Sequence, residues 1–178
     1  MNKNILLLLV FTLVFGAVNA QALLTIQDVP VKVSNAATTL YVFGDINNTG
    51  TASIDNAGTI QMSGSWYNNT NNNIFGTSAG IVIMSGPNIV LGGSKSTTFN
   101  TLILVGGTKT LQQAESVGGA YASPAGSLAL NIGVKLDLNG NVLTITNSAT
   151  TGITTSGTSD MILAEDTDFS SRVNWNIG

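Results

Sequence analysis

The sequence predicts an all-β fold, a parallel β-helix or related β-solenoid with coils of about 20 residues, preceded by a cleavable signal peptide. Three observations lead to this prediction: the composition, a regular spacing of short apolar strands, and clean alternation of apolar residues in the last third of the chain. Charged residues make up only 8% of the chain, so the Lys, Glu and Arg that helices normally use are scarce. Thr, Val and Ile favour strands instead, and Gly and Asn favour tight turns.

Residues 1–20 have the three-part pattern of a signal peptide. Lys3 supplies a positive charge, an almost unbroken apolar run follows, and Val18 and Ala20 are small residues at the positions that precede a cut. The run is too short for a membrane-spanning helix, and no later run reaches the ~20 apolar residues that such a helix needs. We therefore expect an exported protein whose mature chain starts at Gln21 and has no transmembrane segment.

The charge and the absence of cysteine exclude several classes of function. The chain has 6 basic and 9 acidic residues and a net charge of -3, and its basic residues are scattered, so it lacks the dense positive surface that holds nucleic acid. With no cysteine, disulfides, thiol catalysis, cysteine-type zinc sites and a lipoprotein anchor are excluded. We expect no nucleic-acid partner.

Short apolar strands that end in glycine recur along the first half of the chain, at residues 40–44, 59–64, 80–86 and 101–106. Their first apolar residues are Leu40, Ile60, Ile81 and Leu102, in steps of 20, 21 and 21 residues. A fixed period of this length is typical of stacked β-units, whereas a hairpin meander turns sooner. We assign residues 21–39 to an N-terminal strand or cap and residues 40–178 to solenoid repeats.

Weaker strands at residues 51–54, 88–91 and 109–111 predict two or three strands per coil. Asn- and Gly-rich segments at 47–50, 55–58 and 139–141 are expected corners, and the Gly- and Ala-rich segment 112–126 is expected to be a loop or an irregular coil. Clean alternation then resumes. It predicts one buried face made of Leu128, Leu130, Ile132, Leu136, Leu138, Leu143 and Ile145.

The last residues contain no helix or charged tail that would cover a final coil. An uncapped solenoid exposes strand edges that can pair with further strands. We therefore expect either that the natural chain continues beyond Gly178 or that copies assemble through open solenoid ends.

Four segments, in sequence order, resemble the β-solenoid repeats of large surface proteins of Bacteroidota, which commonly leave the cell through the type IX secretion system. Residues 64–69 resemble a Gly-x-Trp-x-Asn element, residues 80–86 a central strand, and residues 97–102 a Thr-Phe-Asn-x-Leu element, while residues 128–145 resemble the closing strands. The resemblance implies a secreted protein at the surface of a Gram-negative bacterium, with structural or adhesive work. Nothing in the chain resembles the separate sorting domain with which such proteins usually end.

The chain contains no histidine, which removes the commonest general base and metal ligand and every Ser-His-Asp arrangement. Two-carboxylate glycoside hydrolysis on a β-helix would have to use Asp or Glu, but most of these stand alone near turns, where Asp bonds the backbone. The one acidic cluster is Asp160, Glu165, Asp166 and Asp168. Its spacing fits neither an EF-hand loop nor the Gly- and Asp-rich nonapeptide of calcium-loaded β-rolls, so a solvated acidic loop is favoured over a bound cation. We predict no catalytic residue, metal or cofactor and expect a protein that is not an enzyme; a polysaccharide-cleaving enzyme is the third-ranked alternative.

Trp66 and Tyr67 lie in an Asn-rich stretch, and exposed aromatic rings flanked by amides suit a sugar-binding surface. A carbohydrate-binding module that uses these two residues is therefore the second-ranked function. The favoured interpretation is that Trp66 packs over a corner, because tryptophan is largely buried on average. The first-ranked function is an exported, non-catalytic structural or adhesive segment whose partners are cell-surface components or extracellular polysaccharide.

Overall fold

The computed structural model describes residues 22–71, 73–76, 78–119, 126–165, 167, 169–175 and 177, so the predicted signal peptide lies outside the described residues. Within them the chain forms nineteen strands and one 3-10 turn, Thr150–Gly152. The strands are β1 (Ala22–Gln27), β2 (Pro30–Val33), β3 (Thr39–Val42), β4 (Gly44–Gly50), β5 (Ser53–Asn56), β6 (Thr59–Met62), β7 (Trp66–Thr70), β8 (Ile81–Met84), β9 (Asn88–Gly93), β10 (Thr98–Phe99), β11 (Thr101–Val105), β12 (Thr108–Leu111), β13 (Glu115–Val117), β14 (Leu128–Asn131), β15 (Lys135–Asp137), β16 (Val142–Ile145), β17 (Ile153–Thr155), β18 (Met161–Leu163) and β19 (Arg172–Trp175). No helix in the described part of the chain is long and apolar enough to cross a membrane.

The strands stack as a three-sided parallel β-solenoid, which confirms the predicted fold class. Face A is the seven-stranded sheet β1-β4-β7-β9-β12-β15-β18, and face C is the six-stranded sheet β3-β6-β8-β11-β14-β17. Face B consists of the pair β2-β5 and the four-stranded sheet β10-β13-β16-β19. Between these two parts of face B, residues 74–76 form a turn. Each coil of the chain visits face A, then face B, then face C.

The registers give the coil length. On face C, Leu40 pairs with Ile60, Ile60 with Val82 and Val82 with Leu102, and the row continues to Leu128 and Ile153. The steps are 20, 22, 20, 26 and 25 residues, close to the predicted period in the first coils and longer in the last ones. The predicted third position was one residue early, because Ile81 points outward and Val82 inward.

Alternation along each strand sends every second side chain into the interior. The buried hydrophobic residues form one continuous cluster through all the coils, to which Leu24, Val31, Leu40, Ile153, Ile162, Val173 and Trp175 are added as partly buried neighbours. The first two strands of the segment assigned to an N-terminal strand or cap, β1 and β2, pair in register with β4 and β5 and complete the first coil. At the two ends of the stack, the outermost strands pair on one side only among the described residues; assembly of copies through these ends stays a prediction.

Of the seven residues predicted to form one buried face, six are buried. The prediction for the seventh, Ile132, is wrong. Its side chain is 75% exposed and its φ is 61°. The chain leaves face C after Asn131 and turns the corner toward face A, and Ile132 and Gly133 both take positive φ to make that turn. The equivalent corner of the preceding coil uses Gly106 and Gly107. The alternation ends where the corner begins, so the period cannot be extended to Ile132.

Ile132→Gly is expected to raise the free energy of unfolding by about 0.5–1 kcal/mol. The left-handed conformation costs an L-residue about 1–2 kcal/mol, and glycine avoids that cost while losing about 0.5–1 kcal/mol of backbone entropy. Denaturant titration measures the difference. The matched control is Ile103→Gly, which lies in a regular strand of face C and should lower stability. Equal destabilisation by both changes would show that the Ile132 conformation is unstrained.

The corners between face B and face C repeat one asparagine device. The side-chain oxygen of Asn35 accepts the N–H of Ala37, that of Asn56 the N–H of Gly58, and that of Asn147 the N–H of Ala149, at 3.0, 3.1 and 3.0 Å. Such Asx turns satisfy backbone donors locally and set the direction of the chain. The predicted corners at 55–58 and 139–141 are confirmed.

Of two predictions of irregular backbone, the one for residues 47–50 is wrong, and the one for residues 112–126 agrees with a longer coil that contains one short strand. Residues 47–50 belong to β4, where Asn48 points inward and is fully buried. The segment 112–126 contains β13 on face B, and its residues 120–125 lie outside the described part. Polar composition suggested a turn at residues 47–50. The chain is extended there because β4 pairs with β1 and β7, and polar residues are compatible with a strand whose backbone hydrogen bonds are made by its neighbours.

Candidate functional site

Trp66 lies inside the solenoid, where it anchors a buried aromatic cluster. It is 0% exposed. Its ring stacks on Phe75, with centroids 5.2 Å apart and planes 15° apart, and Phe99 packs against both rings at 5.7 Å. The exposure that a sugar platform requires is therefore absent at Trp66, and the binding alternative is wrong about this ring. The favoured interpretation placed Trp66 over a corner; the ring instead packs inside the coil, on the inward side of β7.

Tyr67 follows Trp66 on β7 and points the other way. It is partly exposed on the outside of face A, in register with Asn47 of the preceding coil and Gly92 of the next. The two residues named as one binding pair are thus on opposite sides of the same strand, as the two-residue period of a strand requires. They cannot act together on one ligand.

A buried polar chain continues from Trp66 to Glu115. The indole Nε1 donates to the hydroxyl of Thr97 at 2.9 Å, and the backbone N–H of Thr97 donates to Oε2 of Glu115 at 2.5 Å. Glu115 is 1% exposed, and its other oxygen, Oε1, has no hydrogen-bond partner. Burial raises the pKa of the Glu115 carboxyl to about 9, although hydrogen bonds from Thr97 oppose the shift. At neutral pH this carboxyl is therefore protonated inside the core.

Lys109 is the second ionisable residue in the interior. It occupies an inward row of face A between Ile89 and Leu136 and is fully buried. Its Nζ donates to the carbonyl of Gly86 at 2.5 Å, to that of Val105 at 3.2 Å and to that of Gly106. Burial lowers the pKa of the Lys109 ammonium to about 8. The amine ties two successive corners together, which is a structural role.

Two carboxylates with lowered pKa values, Asp28 and Asp160, accept hydrogen bonds from backbone N–H groups at corners of the solenoid. The N–H of Thr51 donates to Asp28 at 2.8 Å and lowers the pKa of that carboxyl. Burial alone would raise the pKa of Asp160, but hydrogen bonds from the N–H groups of Val134 and Ser156, each at 2.9 Å, outweigh it and lower the pKa. These two carboxylates therefore accept hydrogen bonds from the backbone at the corners, which is a structural role.

The structure describes two of the four residues in the predicted acidic cluster. Asp160 is engaged by backbone N–H groups and Glu165 is exposed, while Asp166 and Asp168 lie outside the described residues. In the described part of the chain, no group of three or more His, Asp or Glu side chains is placed to hold a metal ion.

The outer surface of face C differs from the rest of the solenoid because it carries no charge. Every charged residue in the described part of the chain lies on face A, on face B, at a corner or in the interior. Face C instead presents apolar, hydroxyl and amide side chains in outward rows that run across its six strands. One row, fixed by the registers, is Tyr41, Gln61, Ile83, Ile103, Ala129 and Thr154.

At the first coil this uncharged face ends in two exposed aromatic side chains, Tyr41 at 59% and Phe43 at 79%. Tyr41 lies on the outer side of β3, whose inward residues are Leu40 and Val42, and Phe43 lies at the bend just after the strand. A shallow depression beside them is lined by Gln61, Ser63 and Ser85, among others. Sequence reasoning missed this pair because it treated 40–44 as a core strand; the alternation itself, with Leu40 and Val42 inward, was the available signal.

No family model, curated protein or solved structure matches this chain.

Proposed function

We propose that this chain is an exported, non-catalytic structural or adhesive β-solenoid segment of a cell-surface protein, with the outer surface of face C as its contact surface. The observation that carries the proposal is the uncharged, continuous outer surface of a six-stranded sheet. A soluble protein with ordinary surface composition interrupts such a face with charges, and extended apolar patches mark interaction sites. Its partners are cell-surface components or extracellular polysaccharide.

The interior suits a mechanical role. Parallel ladders connect the successive coils along faces A and C and along the two parts of face B. The side-chain hydrogen bonds of Asn56, Asn100 and Asn147 link neighbouring coils at one corner. Stability in such a stack is approximately the sum of the stability of each coil and of its contacts with the neighbouring coils, so every coil supports the next. The buried Glu115 and Lys109 add polar ties to that stack.

Export and surface location rest on the sequence. Lys3, the apolar run after it and the small residues before Gln21 support a signal peptide. The resemblance of residues 64–145 to repeats of Bacteroidota surface proteins supports type IX secretion and attachment at the surface of a Gram-negative cell. Measuring the mass of the native protein recovered from cells and medium tests both points.

Placing a charge on face C is expected to weaken adhesion. Ile103 is flanked by Ile83 and Ala129 on the outer surface, so in Ile103→Lys any surface that contacts the face must desolvate an ammonium group. A cost of about 1 kcal/mol corresponds to about fivefold weaker binding. The measurement is retention under flow of beads coated with the full chain on an uncharged, hydroxyl-terminated monolayer.

Thr110→Lys is the matched control, because Thr110 is a partly exposed outward residue of face A, between Val90 and Asp137. It should leave retention within about twofold. If both lysine variants lose retention equally, or if neither does, face C is not the contact surface and the proposal is wrong.

A further inference from the structure

We propose that Tyr41 and Phe43, together with the amide of Gln61, form a subsite for a neutral polysaccharide at the first coil of face C. The inference rests on the proposed adhesive function and names the chemistry of its partner. It also replaces the pair Trp66 and Tyr67, which the structure separates, with a pair that shares one exposed surface.

The geometry of the pair suits the apolar side of a sugar ring. Tyr41 lies on the outer side of β3 and Phe43 at the bend that follows it, and both residues line the same depression. Two large exposed aromatic side chains beside one depression form a contiguous apolar patch, which marks an interaction site more than a single exposed ring does. Each ring offers a rigid flat surface that loses little conformational entropy on binding.

The groups beside the rings supply hydrogen bonds of both kinds. Gln61 lies opposite Tyr41 in the register of face C, and Ser63 and Ser85 line the same depression. An amide contributes two donors and an acceptor, and a hydroxyl contributes one donor and two acceptors. Sugar hydroxyls need this mixture. The outer rows of face C contain neither a cation to attract an acidic glycan nor a carboxylate, so the complementary polymer is uncharged.

The size of the face favours a polymer over a second copy of the chain. Six strands about 4.8 Å apart and about 15 Å of strand length give a flat area of about 400 Å². A stable protein–protein complex buries about 800 Å² on each partner. A repeating polymer does not need that area at one site, because many weak contacts on many copies add up to retention.

The test is affinity electrophoresis of the full chain in native gels cast with hydroxyethylcellulose, glucomannan or dextran, and with alginate as the acidic polymer. The wild-type protein should be retarded by at least one neutral glycan and not by alginate. The double variant Tyr41→Ala with Phe43→Ala should bind at least about tenfold more weakly. Phe169→Ala should behave as the wild type, because Phe169 is 85% exposed in the segment between β18 and β19. Binding should change less than about twofold between 50 and 500 mM salt, since screening acts on charges.

Three results would overturn the inference: no retardation in any neutral gel, retardation in alginate that salt abolishes, or equal loss in Phe169→Ala. If the double variant melts at a lower temperature than the wild type, the single changes Tyr41→Ala and Phe43→Ala replace it, and wild-type affinity in both would also overturn it. The bead experiment separates this failure from that of the proposed function. Retention that Ile103→Lys abolishes, without glycan binding by the wild type, leaves face C adhesive and removes only the polysaccharide.

Discussion

Trp66→Ala is expected to lower the free energy of unfolding by about 3–5 kcal/mol, the range for truncating a fully buried tryptophan. The indole fills the interior where β7 meets the turn at residues 74–76, and its removal leaves Phe75 and Phe99 without their common neighbour. It also leaves the Thr97 hydroxyl without its donor. The aromatic cluster bridges the gap in face B, so little else in that coil can close the resulting cavity.

Denaturant titration of three variants separates packing from hydrogen bonding. Tyr67→Ala is the matched control, because the neighbouring side chain points outward, and we expect a loss below about 1 kcal/mol. Trp66→Phe keeps an aromatic ring but removes the bond to Thr97, and should lie between the two. A Trp66→Ala variant no less stable than Tyr67→Ala would mean that the buried cluster is not a main support of the fold.

The fold class was predictable because the solenoid repeats one short sequence pattern in each of its first coils. In the first coils an apolar strand ends at a glycine about every 20 residues, and Gly64 and Gly86 stand where a Cβ atom would come within 2.2 and 1.9 Å of backbone atoms in the adjacent coil. Such close approach restricts the position to glycine. The number of residues between these glycines is therefore the number of residues in a coil. Once the loops lengthen, as between β13 and β14, the period is lost and only alternation within strands remains.

The errors occurred where alternation meets a corner. Ile132 continues the apolar pattern of β14 by one step but belongs to the turn, and Ile81 begins an apolar run whose inward phase is set by Val82. At Ile81 the strand is apolar on both sides, with Ile81 and Ile83 outward and Val82 and Met84 inward, so the run does not reveal its phase. At Ile132 the alternation of β14 continues by one residue into the turn. Period-two patterns indicate which side is buried only when the other side is polar.

The same property hid the candidate site. Tyr41 and Phe43 look like core residues in a run of five apolar or small residues, and Trp66 looks like a surface residue in an Asn-rich stretch. Their true positions depend on the register of six strands from distant parts of the chain, which fixes the phase of each row. Composition around the residue therefore points to the wrong side for Tyr41 and Phe43, whereas for Trp66 the average burial of tryptophan favoured the inward position that the structure has. Long-range pairing decides the side in each case.

Raising the pH from 5 to 7.5 is expected to destabilise the protein by about 3 kcal/mol through Glu115 alone. Its pKa is about 9 in the folded protein, against an ordinary value of 4.5. Below pH 4.5 the carboxyl is protonated in both the folded and the unfolded state, so it adds no pH dependence to the free energy of unfolding. Above it the unfolded chain ionises while the folded chain stays protonated, so stability falls by about 1.4 kcal/mol per pH unit until the pH passes the folded pKa.

The chain is well suited to this measurement because it contains no histidine, so no imidazole titrates in the same window. Lys109, with a pKa of about 8 against an ordinary 10.5, acts above the window and in the opposite direction, since its lowered pKa makes stability rise between those values. Asp28 and Asp160 have lowered pKa values and act below the window.

Glu115→Gln should flatten the pH profile. The amide oxygen can still accept the N–H of Thr97, and the side chain carries no charge to bury. At pH 5 the variant and the wild type should differ by less than about 1 kcal/mol, and at pH 7.5 the variant should be more stable by about 3 kcal/mol. Parallel profiles for the two proteins would show that water or a rearranged partner reaches the Oε1 oxygen, which has no hydrogen-bond partner in the structure. If stability falls more steeply with pH in the wild type than in Glu115→Gln, the difference is the cost of burying the Glu115 carboxyl. The packing of the neighbouring coils must then offset that cost.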